Sequence, residues 1–312
     1  MIAFLARLGP LRTDLTGQYR DLASLRKSVK SGDWGAVSEY FRQLPARSDQ
    51  ATAVLAVAET AGSERFLQRI VDTERDSSLA RTLLGARLIV MAWDARGRAL
   101  ARYVSQAQFQ LFFERLRQAE RHLADATAID PTNAAAWTER IITARGLSLG
   151  SDEARRRYDR AAEHCDAPFA AQEQMVQNLC PKWNGSRGAV LAFARECLRG
   201  AKPGSLSGAV IAHAHVELAF DGNLSYLAES AVRDELIGAA AHTVLHPDFR
   251  PSHGWVSAHT VFAFALFHSG AYGHAAPHFD ALNHRATPYP WERSHVQWKR
   301  AFRRARSGGP NW

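Results

Sequence analysis

Apolar side chains recur along this chain at intervals of three and four, and alternating β-branched runs bounded by turn residues do not occur. The pattern predicts an all-α protein. Across residues 14–30, Leu15, Tyr19, Leu22, Leu25 and Val29 form one helical stripe. Ser31-Gly32-Asp33 turns the chain, and Trp34, Val37, Phe41 and Leu44 form a second stripe that Pro45 ends. The same grammar returns near the C-terminus, where Phe262, Phe264, Leu266 and Phe267 lead into Ser269-Gly270-Ala271-Tyr272, then Ala275, Phe279 and Leu282. In both places the glycine is followed by an aromatic at plus two, a small or β-branched residue at plus five, Phe at plus nine and Leu at plus twelve.

The best-formed unit lies between these two. Ala119, Leu123 and Ala126 carry small and apolar residues down one helix face, Pro131 stops the helix, and Trp137 opens the next. Ala154, Tyr158 and Ala161 then follow a turn at Gly150-Ser151-Asp152. Helical hairpins repeating at roughly 34 residues are the mark of tetratricopeptide arrays. The expected architecture is a tetratricopeptide-like α-solenoid of antiparallel helix hairpins. Residues 83–306 read as its repeat region, and residues 1–82 as N-terminal helical hairpins able to cap the same solenoid. Residues 307–312 read as a disordered tail. Further helices are predicted over 63–74, 79–95, 105–129 and 206–220, the third with Phe109, Phe112, Phe113, Leu116 and Leu123 inward. Breaks are predicted at 97–103, 180–186 and 200–205, with rigid connectors at 246–251 and 287–290.

A series of local motifs runs in order: Gly85-Ala86-Arg87-Leu88 into Ala92-Trp93-Asp94-Ala95-Arg96-Gly97, then Ala128-Ile129-Asp130-Pro131. Pro181-Lys182-Trp183-Asn184-Gly185-Ser186 with Leu191-Ala192-Phe193-Ala194-Arg195, Ala212-His213-Ala214-His215-Val216-Glu217, and Pro290-Trp291 continue it. From about Leu83 to Trp291 the chain thus resembles a bacterial family of uncharacterised proteins with a tetratricopeptide-like helical core. That family's motifs are of the Ala-Trp-x-Ala-Arg-Gly and Pro-Lys-Trp-Gly-Gly-Ser type. Asn184 stands where the second motif has its first glycine, and Asn tolerates left-handed backbone angles better than most residues. The resemblance implies a fold and carries no activity.

Composition narrows the function classes. The formal net charge is +8, but only five of the basic residues are lysines, and the arginines are spread along the chain. The real clusters, Arg155-Arg156-Arg157 with Arg160 and Lys299-Arg300 with Arg303, Arg304 and Arg306, lie beside carboxylates or near the C-terminal end. A solvated helix face is the expectation, and nucleic-acid binding a lesser alternative. Cys165, Cys180 and Cys197 are odd in number, far apart and outside any CxxC, so buried thiols are expected rather than a disulfide or zinc framework. Nothing approaches a membrane-spanning apolar run, and Arg7 interrupts the opening apolar stretch, so a cytoplasmic protein without signal peptide is expected.

Candidate chemistry concentrates in the C-terminal third. His213 and His215 share a predicted helix with Glu217, while His242 with His246 and His274 with His278 are spaced four apart, as helical metal ligands often are. No HExxH frame, Gly-x-Ser-x-Gly elbow, P-loop or GxGxxG is present, so no catalytic residue, cofactor or metal is assigned, and these histidines stand as weak metal candidates. Trp93, Arg96, Lys182, Trp183, His215, Glu217 and Trp291 combine aromatic and charged groups. They read either as wedges and caps between repeats or as a groove in which Arg96 and His215 hold an anionic group such as a peptide carboxylate. The leading functional expectation is a non-enzymatic scaffold binding a protein or peptide partner on its concave face. The alternatives are an enzyme or small-molecule or metal-binding protein using the His-rich third, and binding of nucleic acid through the Arg clusters.

Overall fold

The computed structural model describes residues 11–97 and 101–307; the predicted tail and the opening apolar stretch lie almost wholly outside them. The described residues form helices and turns, and strand-like pairing is confined to one bridge between Arg12 and Arg285. The α-helices are Leu15–Gln18 (α1), Leu22–Ser31 (α2), Trp34–Gln43 (α3), Arg47–Ala58 (α4), Ser63–Thr73 (α5), Ser78–Arg96 (α6), Gln106–Ile129 (α7) and Ala134–Gly146 (α8). Ser151–Glu163 (α9), Phe169–Leu179 (α10), Arg187–Gly200 (α11), Val210–Asp221 (α12), Ser230–His242 (α13), Trp255–His268 (α14), Tyr272–Leu282 (α15) and Trp298–Arg306 (α16) follow. Among the described residues no helix is long and apolar enough to cross a membrane. The chain divides into two compact units: residues 20–178, and the residues up to Tyr19 together with those from Leu179 onward.

In unit 20–178, sequence-adjacent helices pack as pairs, α2 with α3, α6 with α7 and α8 with α9, and α2, α4, α6 and α8 touch in series. Small residues let α6 and α7 approach closely: a Cβ on Gly85 of α6 would sit 2.6 Å from the Leu123 side chain of α7. Ile89 and Ala92 of α6 bury against Phe112, Leu116, Ala119 and Leu123 of α7, with Ala136 of α8 closing the cluster. Each such side chain contributes on the order of 1.5–3 kcal/mol by leaving water, alanines less.

The α7–α8 corner follows from its residues. Asp130 is extended (φ −130°) because the following Pro131 disfavours helical angles before it. Asn133 accepts from the Ala136 N–H to cap α8, while its amide donates to Ser78 Oγ (2.8 Å) and Thr82 Oγ1 (3.0 Å) at the start of α6. The buried Arg157 ties three helices together, donating to Glu120 of α7 (2.8 Å), the Arg140 carbonyl of α8 (2.6 Å) and Glu153 of its own helix (2.6 Å). Glu153 is held down at about 2, chiefly by the Arg156 hydrogen bond. The first arginine cluster is thus matched by carboxylates: Arg155 pairs with Asp159, Arg156 with Glu153 and Arg160 with Glu163.

In the other unit, α12 and α14 are buried through most of their length, with α11, α13 and α15 packed against one or the other and α16 against α15. Residues 11–19 belong here. The Arg12 N–H donates to the His284 carbonyl (2.8 Å), and the Ala286 N–H donates to the Arg12 carbonyl (3.1 Å). The single helix expected over 14–30 is broken. It ends at Gln18, Tyr19 is extended, and α2 starts at Leu22. The reason is tertiary: the Tyr19 hydroxyl accepts from the backbone N–H groups of Gly254 (2.9 Å) and Val256 (3.3 Å) at the start of α14. The helix expected from 206 starts later, at Val210. Cys165, Cys180 and Cys197 are all buried, and none is in a disulfide.

Candidate functional site

Helix α12 is enclosed by its neighbours, and Val210 through Ala219 are all buried, including His213, His215 and Glu217. Polar groups so placed require partners. Four residues separate His213 from Glu217, which puts them on one face, whereas His215 points to another. On the first face the Lys182 ammonium donates to Glu217 Oε2 (2.7 Å), and the Cys180 thiol lies 3.9 Å from the same oxygen. Tyr289 stacks on the His213 ring (centroids 5.7 Å apart, planes 11° apart), and burial together with the nearby Glu217 carboxylate pushes its phenol well above the usual range. His213 Nε2 lies 3.4 Å from Ser257 Oγ. The turn carrying Lys182 closes as its sequence suggests: Asn184 is left-handed at φ 69°, and the Trp183 and Gly185 N–H groups both donate to the Cys180 carbonyl.

On the other face His215 sits between two partners, with Nδ1 2.9 Å from the Tyr226 hydroxyl and Nε2 3.0 Å from Glu235 Oε2. Arg195 grips Glu235 with two parallel hydrogen bonds (2.7 and 2.9 Å). That grip, with the His215 hydrogen bond, holds the Glu235 carboxyl at about 2. An ionised carboxylate only accepts, so Nε2 carries a proton, and in the neutral imidazole Nδ1 is then left to accept from the Tyr226 hydroxyl. Burial raises the Tyr226 phenol, which therefore stays protonated as the donor.

The remaining predicted residues are dispersed. Trp93 and Arg96 belong to unit 20–178, whereas Lys182, Trp183, His215, Glu217 and Trp291 belong to the other. Trp93 meets Phe112 edge-on (4.9 Å), and Arg96 lies 5.8 Å over the Trp93 ring while donating to the Gly97 carbonyl. Trp291 is a core side chain against Phe264, Phe267 and Phe279. Helix α13 ends at His242, whose ring nitrogen bonds the Ala201 carbonyl, so His242 and His246 do not share a helix face. His274 is exposed and His278 buried, the latter 3.0 Å (Nδ1 to Nδ1) from His259. Among the described residues, no three His, Cys, Asp or Glu side chains gather closely enough to hold a metal ion.

Unit 20–178 contains a site that the sequence does not announce. A cleft of about 290 Å³ opens between α3, α4, the start of α6 and the α7–α8 corner. Phe41, Val54, Leu79 and Ala135 give it an apolar floor, and Arg42, Arg47, Gln50 and Asp130 a polar rim. Helices α4, α6 and α8 all begin at it, with Arg47, Ser78 and Asn133 among the lining residues, and α3 and α7 end at it beside Arg42 and Asp130, so three positive and two negative helix ends border the same space. Arg47 is steadied by donating to the Thr132 carbonyl (2.8 Å). These residues come from four elements and form no motif, so only their assembly reveals them. No protein-family profile matches the chain, and no curated protein aligns with it significantly.

Proposed function

We propose that this protein is a tetratricopeptide-like helical scaffold whose 20–178 unit binds an extended, acidic peptide segment of a protein partner. The cleft carries the reading. Its volume suits a few residues of extended chain, its floor suits an apolar side chain, and its arginines suit carboxylates. The serial contact of α2, α4, α6 and α8, each but α4 packed on its following helix, supports a solenoid with a concave binding face. Resemblance to the bacterial tetratricopeptide-like family and a cytoplasmic setting belong to the same proposal, and three buried, unbridged cysteines suit a reducing compartment. Nucleic acid is the weaker partner because the first arginine cluster is already matched by carboxylates.

The test is fluorescence anisotropy with labelled pentapeptides of equal length in acidic, neutral and basic series. The acidic series binds most tightly, loses affinity as salt rises, and weakens by about tenfold or more when Arg47→Ala removes a charge-assisted hydrogen bond of about 1.5–3 kcal/mol. Equal binding of the acidic and basic series, or indifference to both Arg42→Ala and Arg47→Ala, overturns the proposal.

A further inference from the structure

The arrangement around His215 exceeds what packing alone asks of a buried histidine. A hydroxyl donates to one imidazole nitrogen, an ionised carboxylate fixes the other, and a bidentate arginine holds the carboxylate in place. That order of hydroxyl, base and orienting anion is the general requirement for an activated oxygen nucleophile. The base is fully enclosed, with its ring held from both ends, so its orientation is set before any reactant arrives. Tyr226 is half-buried in the short turn Leu224–Ala228, which Asn223 caps by accepting from the Ser225 N–H (2.9 Å). Two exposed arginines flank it: the Arg187 guanidinium lies 5.0 Å over its ring, and Arg195 stands on Glu235. Arg195 is neutralised by Glu235 and Glu229 lies nearby, so it is Arg187, with no carboxylate in ion-pair contact among the described residues, that offers positive charge to an anionic reactant over the ring.

We propose that Tyr226 is a base-assisted nucleophile that accepts an acyl group from a small anionic donor of the acyl phosphate class. As Tyr226 Oη bonds to the acyl carbon, its proton passes to His215 Nδ1, and the carbon–oxygen bond to phosphate breaks. Glu235 stabilises the imidazolium, which then returns the proton to the departing phosphate. The products are a tyrosine ester and inorganic phosphate. Arg187 supplies the positive charge that draws the donor, while Arg195 holds Glu235.

Acetyl phosphate tests this on the full chain, with peptide mass spectrometry following O-acetylation and neutral hydroxylamine confirming an ester. Tyr103 is the internal reference: it is 69% exposed and also lies beneath an arginine, Arg102, at 4.9 Å. General-base assistance of about 10²–10⁴-fold predicts that Tyr226 is acetylated at least ten times faster than Tyr103 despite its lower exposure. Glu235→Gln keeps the side-chain volume but removes the charge, and it lowers the Tyr226 rate about tenfold or more while leaving the Tyr103 rate unchanged. Acetylation of Tyr226 no faster than Tyr103 in the unsubstituted protein overturns the proposal without reference to any variant. So does a Tyr226 rate indifferent to Glu235→Gln in a folded protein.

Discussion

Glu139 offers the sharpest test of the energetics. It lies on α8 one turn after Ala135, which lines the cleft, and it is only 7% exposed. Burial pushes its carboxyl up to about 7 from an ordinary value of 4.5. Below pH 4.5 the group is protonated whether the chain is folded or not, and it makes no pH-linked contribution. Between 4.5 and 7 the unfolded chain releases the proton while the folded chain keeps it, so stability falls as pH rises, by about 1.4 kcal/mol per unit. Above 7 the loss is complete, at about 3 kcal/mol. Glu139→Gln removes the ionisation and nearly preserves the shape. The variant is therefore more stable than the parent by about 3 kcal/mol at pH 8, and the two converge at pH 4, apart from any constant offset. Urea denaturation followed by circular dichroism from pH 4 to 8 measures the difference, and other titrating groups cancel when the two proteins are compared. A difference that stays the same at pH 4 and pH 8 refutes the reasoning.

Two further outcomes follow from the other unit. His259 and His268 are each held down to about 4 by burial, and His278 lies well below 6.5 for the same reason, with His259 beside it. Bases whose folded values are depressed stabilise fully above 6.5 and lose that stability as pH falls toward 4. Between those values each adds a slope of up to about 1.4 kcal/mol per pH unit, and His268→Phe, among Phe264, Phe267 and Trp291, flattens the acid limb accordingly in urea titrations between about pH 4.5 and 6. An unchanged slope contradicts the assignment. At the Cys180–Ser186 turn, a Cβ on Gly185 would run into the Leu179 carbonyl oxygen. Gly185→Ala is therefore expected to cost more than about 2 kcal/mol, visible as a lowered thermal midpoint, whereas Gly188→Ala, whose Cβ would meet only Ser186 Oγ at 3.9 Å, changes it little.

Local chemistry is legible in the sequence where it decides the outcome by itself. Gly32 ends α2 in the left-handed conformation, Pro45 and Pro131 leave an extended residue before them, and Ser105 with Gln108 forms a capping box on α7. Helix α4 leaves a fainter trace because Ala53, Val54, Ala56, Val57 and Ala58 bury it on several sides and blur the periodicity. The break at Tyr19 depends on hydrogen bonds to residues 235 and 237 positions away, which no local window contains. The site follows the same rule. His215 and Glu217 stand out on one helix, but their partners Tyr226, Glu235 and Lys182 reach them only through the fold. Spacing misleads where a helix ends: His242 and His246 are four apart, yet only the first is helical.

The pairing of Arg12 with His284 and Ala286 makes residues 20–178 an insertion within the unit that holds both flanking stretches. During synthesis the inserted part has its whole sequence available while the C-terminal stretch is still being translated. The surrounding unit must wait, its first strip of backbone held without a partner, until residue 286 has left the ribosome. Assembly is thus vectorial, and the stretch around Arg12, made before the insertion, finds its place only after the insertion is complete.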